Sequence, residues 1–194
     1  KHLGADLVGI AAANPAFMYA AGSRYVQDGT ANDAYQKMTP DALVRERVWQ
    51  DLARGLMEAK PSRLFDVLRE CGALERVTPE LDALWDDADA ARAAMDALDA
   101  AAEAGATLPA RFATPARWLE PLAVESLALR LKLPSDCRDL ALLAARHANT
   151  VLDAAELDAE SLLDLFDTVD AWRRPERFAE LMTPAFAGEP DAAQ

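Results

Sequence analysis

Residues 45–85, RERVWQDLARGLMEAKPSRLFDVLRECGALERVTPELDALW, decide the fold class. Val48, Trp49, Leu52 and Leu56 recur at three- and four-residue spacing, which puts them on one face of a helix. Pro61 predicts the start of a second helix, where its missing N–H forfeits no intrahelical bond. Leu64, Phe65 and Leu68 line that helix, and Gly72 after Cys71 predicts a left-handed C-terminal cap. Pro79 opens a third, shorter helix carrying Leu81, Leu84 and Trp85. The stretch holds no catalytic group, so its periodicity specifies a helical core and nothing more.

The rest of the chain continues this pattern. Alanine is abundant, β-branched residues are few and only 8 of 194 residues are glycine, a balance that favours helix. The expected fold is all-α, an elongated multi-helix bundle of short helices. Asp86 to Ala104 reads as an Ala- and Asp-rich helix with Met95, Leu98 and Ala102 on its apolar edge, ended by Gly105. Pro109 and Pro115 bracket a turn, with Thr114 as N-cap and Pro115 at the first helical position. Pro121 kinks or restarts that helix, and Leu122, Leu127 and Leu131 form an interior stripe. Ser135 caps a helix that buries Leu140, Leu143 and Ala144 and ends at Asn149. A helix over 159–172 buries Leu162, Leu165, Phe166 and Val169, and Pro175 begins a last one carrying Phe178 and Leu181. From Thr183 onward the composition suggests a disordered tail.

A formal net charge of −13 argues against the basic footprint of a strong nucleic-acid binder. Charge is unevenly placed, however. Residues 111–150 carry six basic and four acidic groups, whereas 81–110 carry one against seven. An anionic partner would therefore meet local basic faces. Cys71 and Cys137 are far apart in helical apolar patterns, which favours two buried thiols in a reducing compartment. The apolar run LVGIAAA at 7–13 is too short to span a bilayer, so the expectation is a cytoplasmic protein without a membrane partner.

Three collinear stretches carry a family resemblance. The 45–85 segment resembles the neck-and-body region of bacterial tRNA nucleotidyltransferases, the CCA-adding enzymes, and their poly(A) polymerase relatives. LKLPSDCRDLALLAARH at 131–147 and LLDLFDTVDAWRRPERFAELM at 162–182 resemble later helical parts of the same proteins, in the same order. The expected organisation is a neck-like helical region over 1–104, a C-terminal helical region over 105–182 packed on it, and, from composition, a disordered tail over 183–194.

The family's chemistry has no counterpart in these residues. Its head domain grips a triphosphate with a Gly-Gly-x-x-x-Arg loop and holds two metal ions on paired aspartates. This chain has no glycine pair, and its Asp87-Ala88-Asp89 lies in an Ala-rich helical setting. Asp86, Asp87 and Asp89 read most simply as a solvated face at a helix N-terminus, where acids are favoured. The Glu-Asp-x-x-Arg element that selects nucleotides in the family is also missing, since Phe17 of NPAF runs directly into Met18 and Tyr19. Where a His-Asp phosphohydrolase segment should fall, the chain reads RFATPARWLEPLAVESLAL and looks shortened. Its two histidines, His2 and His147, precede no aspartate. Cys137 and His147 are ten residues apart on one helix, roughly 15 Å, too far to share a proton. His147 itself reads as a dipole-favoured cation near a helix C-terminus or as a partly exposed side chain.

What remains is binding. By resemblance, Arg45, Arg47, Arg54, Lys60, Arg63, Arg138, Arg173, Arg174 and Arg177 are candidates for phosphate contacts with the acceptor arm of tRNA. The competing reading pairs them with neighbouring acids, for example Glu176 with Arg173, and likewise Asp66 with Arg69. The leading expectation is a helical RNA-binding or scaffold portion, or a catalytically inactive relative, of a CCA-adding nucleotidyltransferase. It has no catalytic residue, metal site or cofactor of its own; Mg²⁺ and a nucleoside triphosphate would be used only by a joined catalytic head. The alternative is an acidic interaction module, with Trp85, Trp118 and Trp172 serving a protein partner or self-association. A third reading, an independent enzyme of another type, has no acid–base or metal constellation behind it.

Overall fold

The structure, a computed structural model, describes residues 45–189, and side chains from Val48 onward. Expectations for 1–44 and 190–194 lie outside the described residues. Among the described residues the fold is an all-α bundle without a strand. Its helices are α1 (Arg45–Leu56), α2 (Ser62–Glu70), α3 (Leu74–Val77), α4 (Pro79–Asp82), α5 (Ala88–Glu103), α6 (Leu108–Ala116), α7 (Pro121–Leu131), α8 (Ser135–Leu152), α9 (Ala159–Thr168) and α10 (Pro175–Phe186). Short 3₁₀ turns follow α4, at Ala83–Asp86, and α8, at Ala154–Glu156.

The opening stretch folds largely as its pattern dictates. Trp49, Leu52 and Leu56 are buried from α1, and Leu64, Phe65 and Leu68 from α2. Pro61 is the N-cap of α2 rather than its first helical residue, and it has no side-chain oxygen to offer the free N–H groups. Asp99 of α5 supplies the acceptor instead: Ser62 donates its N–H at 3.0 Å and its hydroxyl at 2.7 Å. At the other end Gly72 has φ +66, its N–H bonds the Arg69 carbonyl, and the Ala73 N–H reaches the Leu68 carbonyl. That pair of bonds is a Schellman closure. One turn of helix, α3, precedes Pro79 where the apolar spacing alone gave no element.

The centre of the bundle is α6, and here the sequence expectation fails. Residues 108–116 are helical, not a turn, and every residue from Ala110 to Ala116 is buried. The N-cap is Thr107, whose hydroxyl accepts from the Ala110 N–H; Thr114 sits inside, its hydroxyl donating to the Ala110 carbonyl at 2.8 Å. Pro115 lies inside the helix and has no N–H to give the Arg111 carbonyl, and 3₁₀-type bonds from Arg117 and Trp118 close the helix just after it. Around α6 pack α5, α8, α10 and α1, with Trp49 meeting Phe112 edge-on at 5.3 Å.

Other boundaries shift for similar reasons. On α5 the buried line is Ala91, Ala94, Met95, Leu98 and Ala101, and Ala102 stands at its margin. Asp87 caps α5 by accepting from the Asp89 and Ala90 N–H groups, which accounts for part of the acidic run. The chain restarts at Pro121, but Leu122 faces outward at 77% exposure, while Val124, Leu127, Ala128 and Leu131 face the core. Five residues separate Leu122 from Leu127, an angular step of roughly 140° that takes it off the stripe. Ser135 makes no capping bond; Asp136 accepts from the Cys137 N–H, and α8 runs past Asn149 to Leu152. In α9, Leu165 is buried with Val169 just beyond it, and Leu162 and Phe166 are half-buried. Last, α10 continues to Phe186 with Pro184 and Ala185 buried, so Thr183 begins no tail. The hydrophobic core is continuous from Trp49 to Ala185.

Candidate nucleic-acid interface

The basic candidates fall into two groups. Arg45 and Arg47 occupy the first turn of α1, and their side chains lie outside the description. Arg54 is half-exposed with Asp51 at 3.7 Å, Lys60 is exposed between α1 and α2, and Arg63 faces Asp66 at 3.6 Å. The second group is built by the meeting of α8 and α10. Arg138, near the start of α8, donates to the Asp139 carboxylate at 2.9 Å, while Arg177 of α10 donates to the Asp139 backbone carbonyl at 3.3 Å. Two stretches 38 residues apart in the chain thus converge on one residue. Arg173 and Arg174, just ahead of α10, share Asp170, at 3.9 and 3.6 Å.

Pairing with acids is common, but not with the expected partners. Asp66 takes Arg63, and Arg69 lies over the Trp85 ring at 4.7 Å and against Asp82 at 3.5 Å. Arg173 takes Asp170 rather than Glu176. The reason is placement: α4 brings Asp82 and the adjoining indole to Arg69. These exposed pairs contribute about 0–1 kcal/mol each, too little to withhold a guanidinium from a phosphate.

Two arginines that the spacing did not single out have another role. Arg111 of α6 is only 6% exposed. Its guanidinium donates to the carbonyls of Leu56 and Glu58 at the end of α1, and to those of Ala102 and Ala106 at the end of α5, all within 2.9–3.3 Å. Helix C-termini leave carbonyls unpaired and carry partial negative charge, so one cation serves two helix ends. Arg117 does the same for α10: it donates to Pro184 O at 3.1 Å and Ala185 O at 2.6 Å, meets Glu189 at 2.9 Å, and lies over Trp118 at 4.2 Å. A weak signal was available in the sequence, since both fall in the Ala- and Pro-rich segment around α6 that has few other polar groups.

The remaining reactive groups do not assemble. Among the described residues no set of three His, Cys, Asp or Glu side chains could hold a metal ion. Cys137 is buried, and Cys71, expected to be buried, is only half so; both are free thiols. Burial, with the neighbouring Asp136 charge, pushes the Cys137 thiol up to about 12. His147 lies five residues before the end of α8, half-buried. Burial and the adjacent Arg146 push its pKa down, which disfavours the dipole-stabilised cation and fits the partly exposed side chain that the sequence also allows. No described helix is long and apolar enough to cross a membrane.

Comparison with known proteins bears on the origin of this scaffold. No family model and no solved structure matches the chain. Among curated proteins, it is 47% identical over 170 residues to the Multifunctional CCA protein of Burkholderia vietnamiensis, with 73% of this chain and 41% of the relative covered. The Multifunctional CCA proteins of Burkholderia ambifaria and Cupriavidus metallidurans match over the same shares at 47% and 45% identity. The chain spans about two fifths of the length of the relatives it matches. The 170 aligned positions take up 73% of its 194 residues, about 142, so about 28 positions of the relatives have no counterpart. This chain is homologous to part of the bacterial multifunctional CCA proteins, and its described residues are all-helical.

Proposed function

We propose that this chain is a helical scaffold that positions RNA, derived from the neck and body of a CCA-adding tRNA nucleotidyltransferase and carrying no chemistry of its own. The observation behind this reading is the convergence of Arg138 and Arg177 on Asp139, with Arg173 and Arg174 exposed just ahead of α10. The exposed guanidinia of Arg138, Arg173 and Arg174 would contact phosphates of a tRNA acceptor arm, with half-buried Arg177 held behind them on the Asp139 carbonyl, setting register without reading bases. If a catalytic head is joined to the scaffold, the activity of the whole is completion of the tRNA 3′ end. That head would supply the nucleoside triphosphate and Mg²⁺ chemistry. The working compartment is the cytoplasm, in keeping with two free thiols.

The test is a tRNA titration at two salt concentrations. Neutralising about three phosphates makes affinity fall about 40-fold between 50 and 200 mM salt. Absence of binding at the lower salt, or binding indifferent to salt, rejects the reading. A second reading, an acidic protein-interaction module without an RNA role, is favoured by Leu122 and Leu129. Both are 77% exposed and one heptad apart on α7, an apolar line that invites a partner helix.

A further inference from the structure

The α9–α10 corner carries an exposed aromatic ring that core packing does not explain. Trp172 is 66% exposed, although an indole of this size normally buries most of its surface. It is nevertheless fixed in place. Its ring meets Phe166 edge-on at 5.5 Å, and Phe166 meets Phe178 in the same way at 5.6 Å, so three aromatics brace one another from α9 to α10. The backbone also fixes the corner. Asp170 adopts a left-handed conformation with φ +56, the Ala171 N–H bonds the Phe166 carbonyl, and the Arg174 N–H bonds the Asp170 carbonyl. Asp tolerates that conformation better than most residues.

This turn presents Trp172, Arg173 and Arg174 in succession. Arg173 is 86% exposed in its side chain and Arg174 57%, and the two share the single carboxylate of Asp170. Asp170 and the exposed Glu176 bring the corner close to neutral, but both guanidinia stay largely open to solvent beside a braced, accessible π-face. A nucleotide offers the complement: a flat base to stack and a phosphate to pair. Glu160, Asp164 and Asp167 on the preceding helix have the opposite sign, and they oppose any long run of phosphates along that side. The charge arrangement suits one or two nucleotides rather than a duplex tract.

We propose that Trp172, with Arg173 and Arg174, forms a stacking site for an unpaired nucleotide of single-stranded RNA. The proposal deepens the RNA-positioning reading above and rests on it, adding base stacking to contacts that were otherwise purely to phosphate. Stacking tolerates any base, so the site distinguishes unpaired from paired nucleotides without reading sequence.

The experiment uses the 194-residue chain, a five-nucleotide oligoadenylate, an RNA hairpin lacking single-stranded ends, and intact tRNA. The oligoadenylate should quench tryptophan emission, and the hairpin should leave it unchanged. Trp172→Leu should bind the oligoadenylate about tenfold more weakly, whereas Trp172→Phe, which keeps a π-face, should stay within about twofold. Circular dichroism should show both variants folded, since the replaced side chain is mostly exposed. If Trp172→Leu binds the oligoadenylate as tightly as the parent while tRNA binding stays salt-dependent, the stacking site is overturned and the scaffold reading stands. If the parent chain binds neither tRNA nor oligoadenylate, both readings fall together, and a protein partner on this corner takes their place.

Discussion

Arginine does opposite work at two ends of this molecule. Around α6, Arg111 and Arg117 are enclosed and spend their donors on carbonyls at the ends of α1, α5 and α10. At the α9–α10 corner, Arg173 and Arg174 are exposed and meet one shared carboxylate at long range. The difference teaches that a basic residue in this bundle is not by itself available to an anionic ligand. Burial and donor occupancy decide. The segment containing Arg111 and Arg117 is the packed axis of the bundle, and its cations are held by protein.

Replacing these residues breaks or sharpens the contrast. Arg111→Met should have the largest effect, because the carbonyls at two helix ends lose their donor inside the core. The expected loss is about 3–5 kcal/mol, read from the urea midpoint, and a loss under about 1 kcal/mol would contradict the structural role. Arg117→Ala should cost about 2–3 kcal/mol and should raise hydrogen exchange selectively in the last turn of α10. Gly72→Ala tests the backbone alone, since nothing lies within 4 Å of the added Cβ but φ is +66. About 1 kcal/mol is expected from the left-handed conformation, with no change in RNA retention.

The smaller effects are electrostatic. Burial alone would push the Glu80 carboxyl up, but hydrogen bonds from Arg130 and Ser126 and the nearby guanidinium charge outweigh it and hold it below its ordinary 4.5. Its stabilising contribution is therefore complete above pH 4.5 and is lost as pH falls through the lower folded value. Glu80→Gln should flatten that part of the acid-unfolding profile; an unchanged acid limb would mean the cluster carries no linkage. Finally, Arg173→Ala with Arg174→Ala should leave stability within about 0.5 kcal/mol of the parent while lowering tRNA retention and its salt slope. A large loss of stability there would erase the distinction between the two sets of arginines.

Legibility followed the range of the forces involved. Gly72, Pro79, Pro121 and Pro175 mark element boundaries where the sequence placed them, because each acts through its own backbone. The buried lines of α1 and α2 were readable from period alone. The Thr-Pro signals were not. Thr107 with Pro109 and Thr114 with Pro115 both resemble helix starts, and only the packing of α5, α8 and α10 around α6 selects the first. Nor could spacing show that Asp99 caps α2, or that Asp139 joins Arg138 to Arg177, since those contacts cross 37 and 38 residues.

From its residues alone, the chain reads as helical, and its 194 positions hold neither a Gly-Gly pair nor a His-Asp pair. Those conclusions depend on composition, local periodicity and the presence or absence of side-chain types. Which arginines are confined and which face solvent was settled only in three dimensions. A guanidinium's fate depends on the carbonyls, carboxylates and rings that other helices bring within about 3–4 Å of it, and no local pattern records that distance.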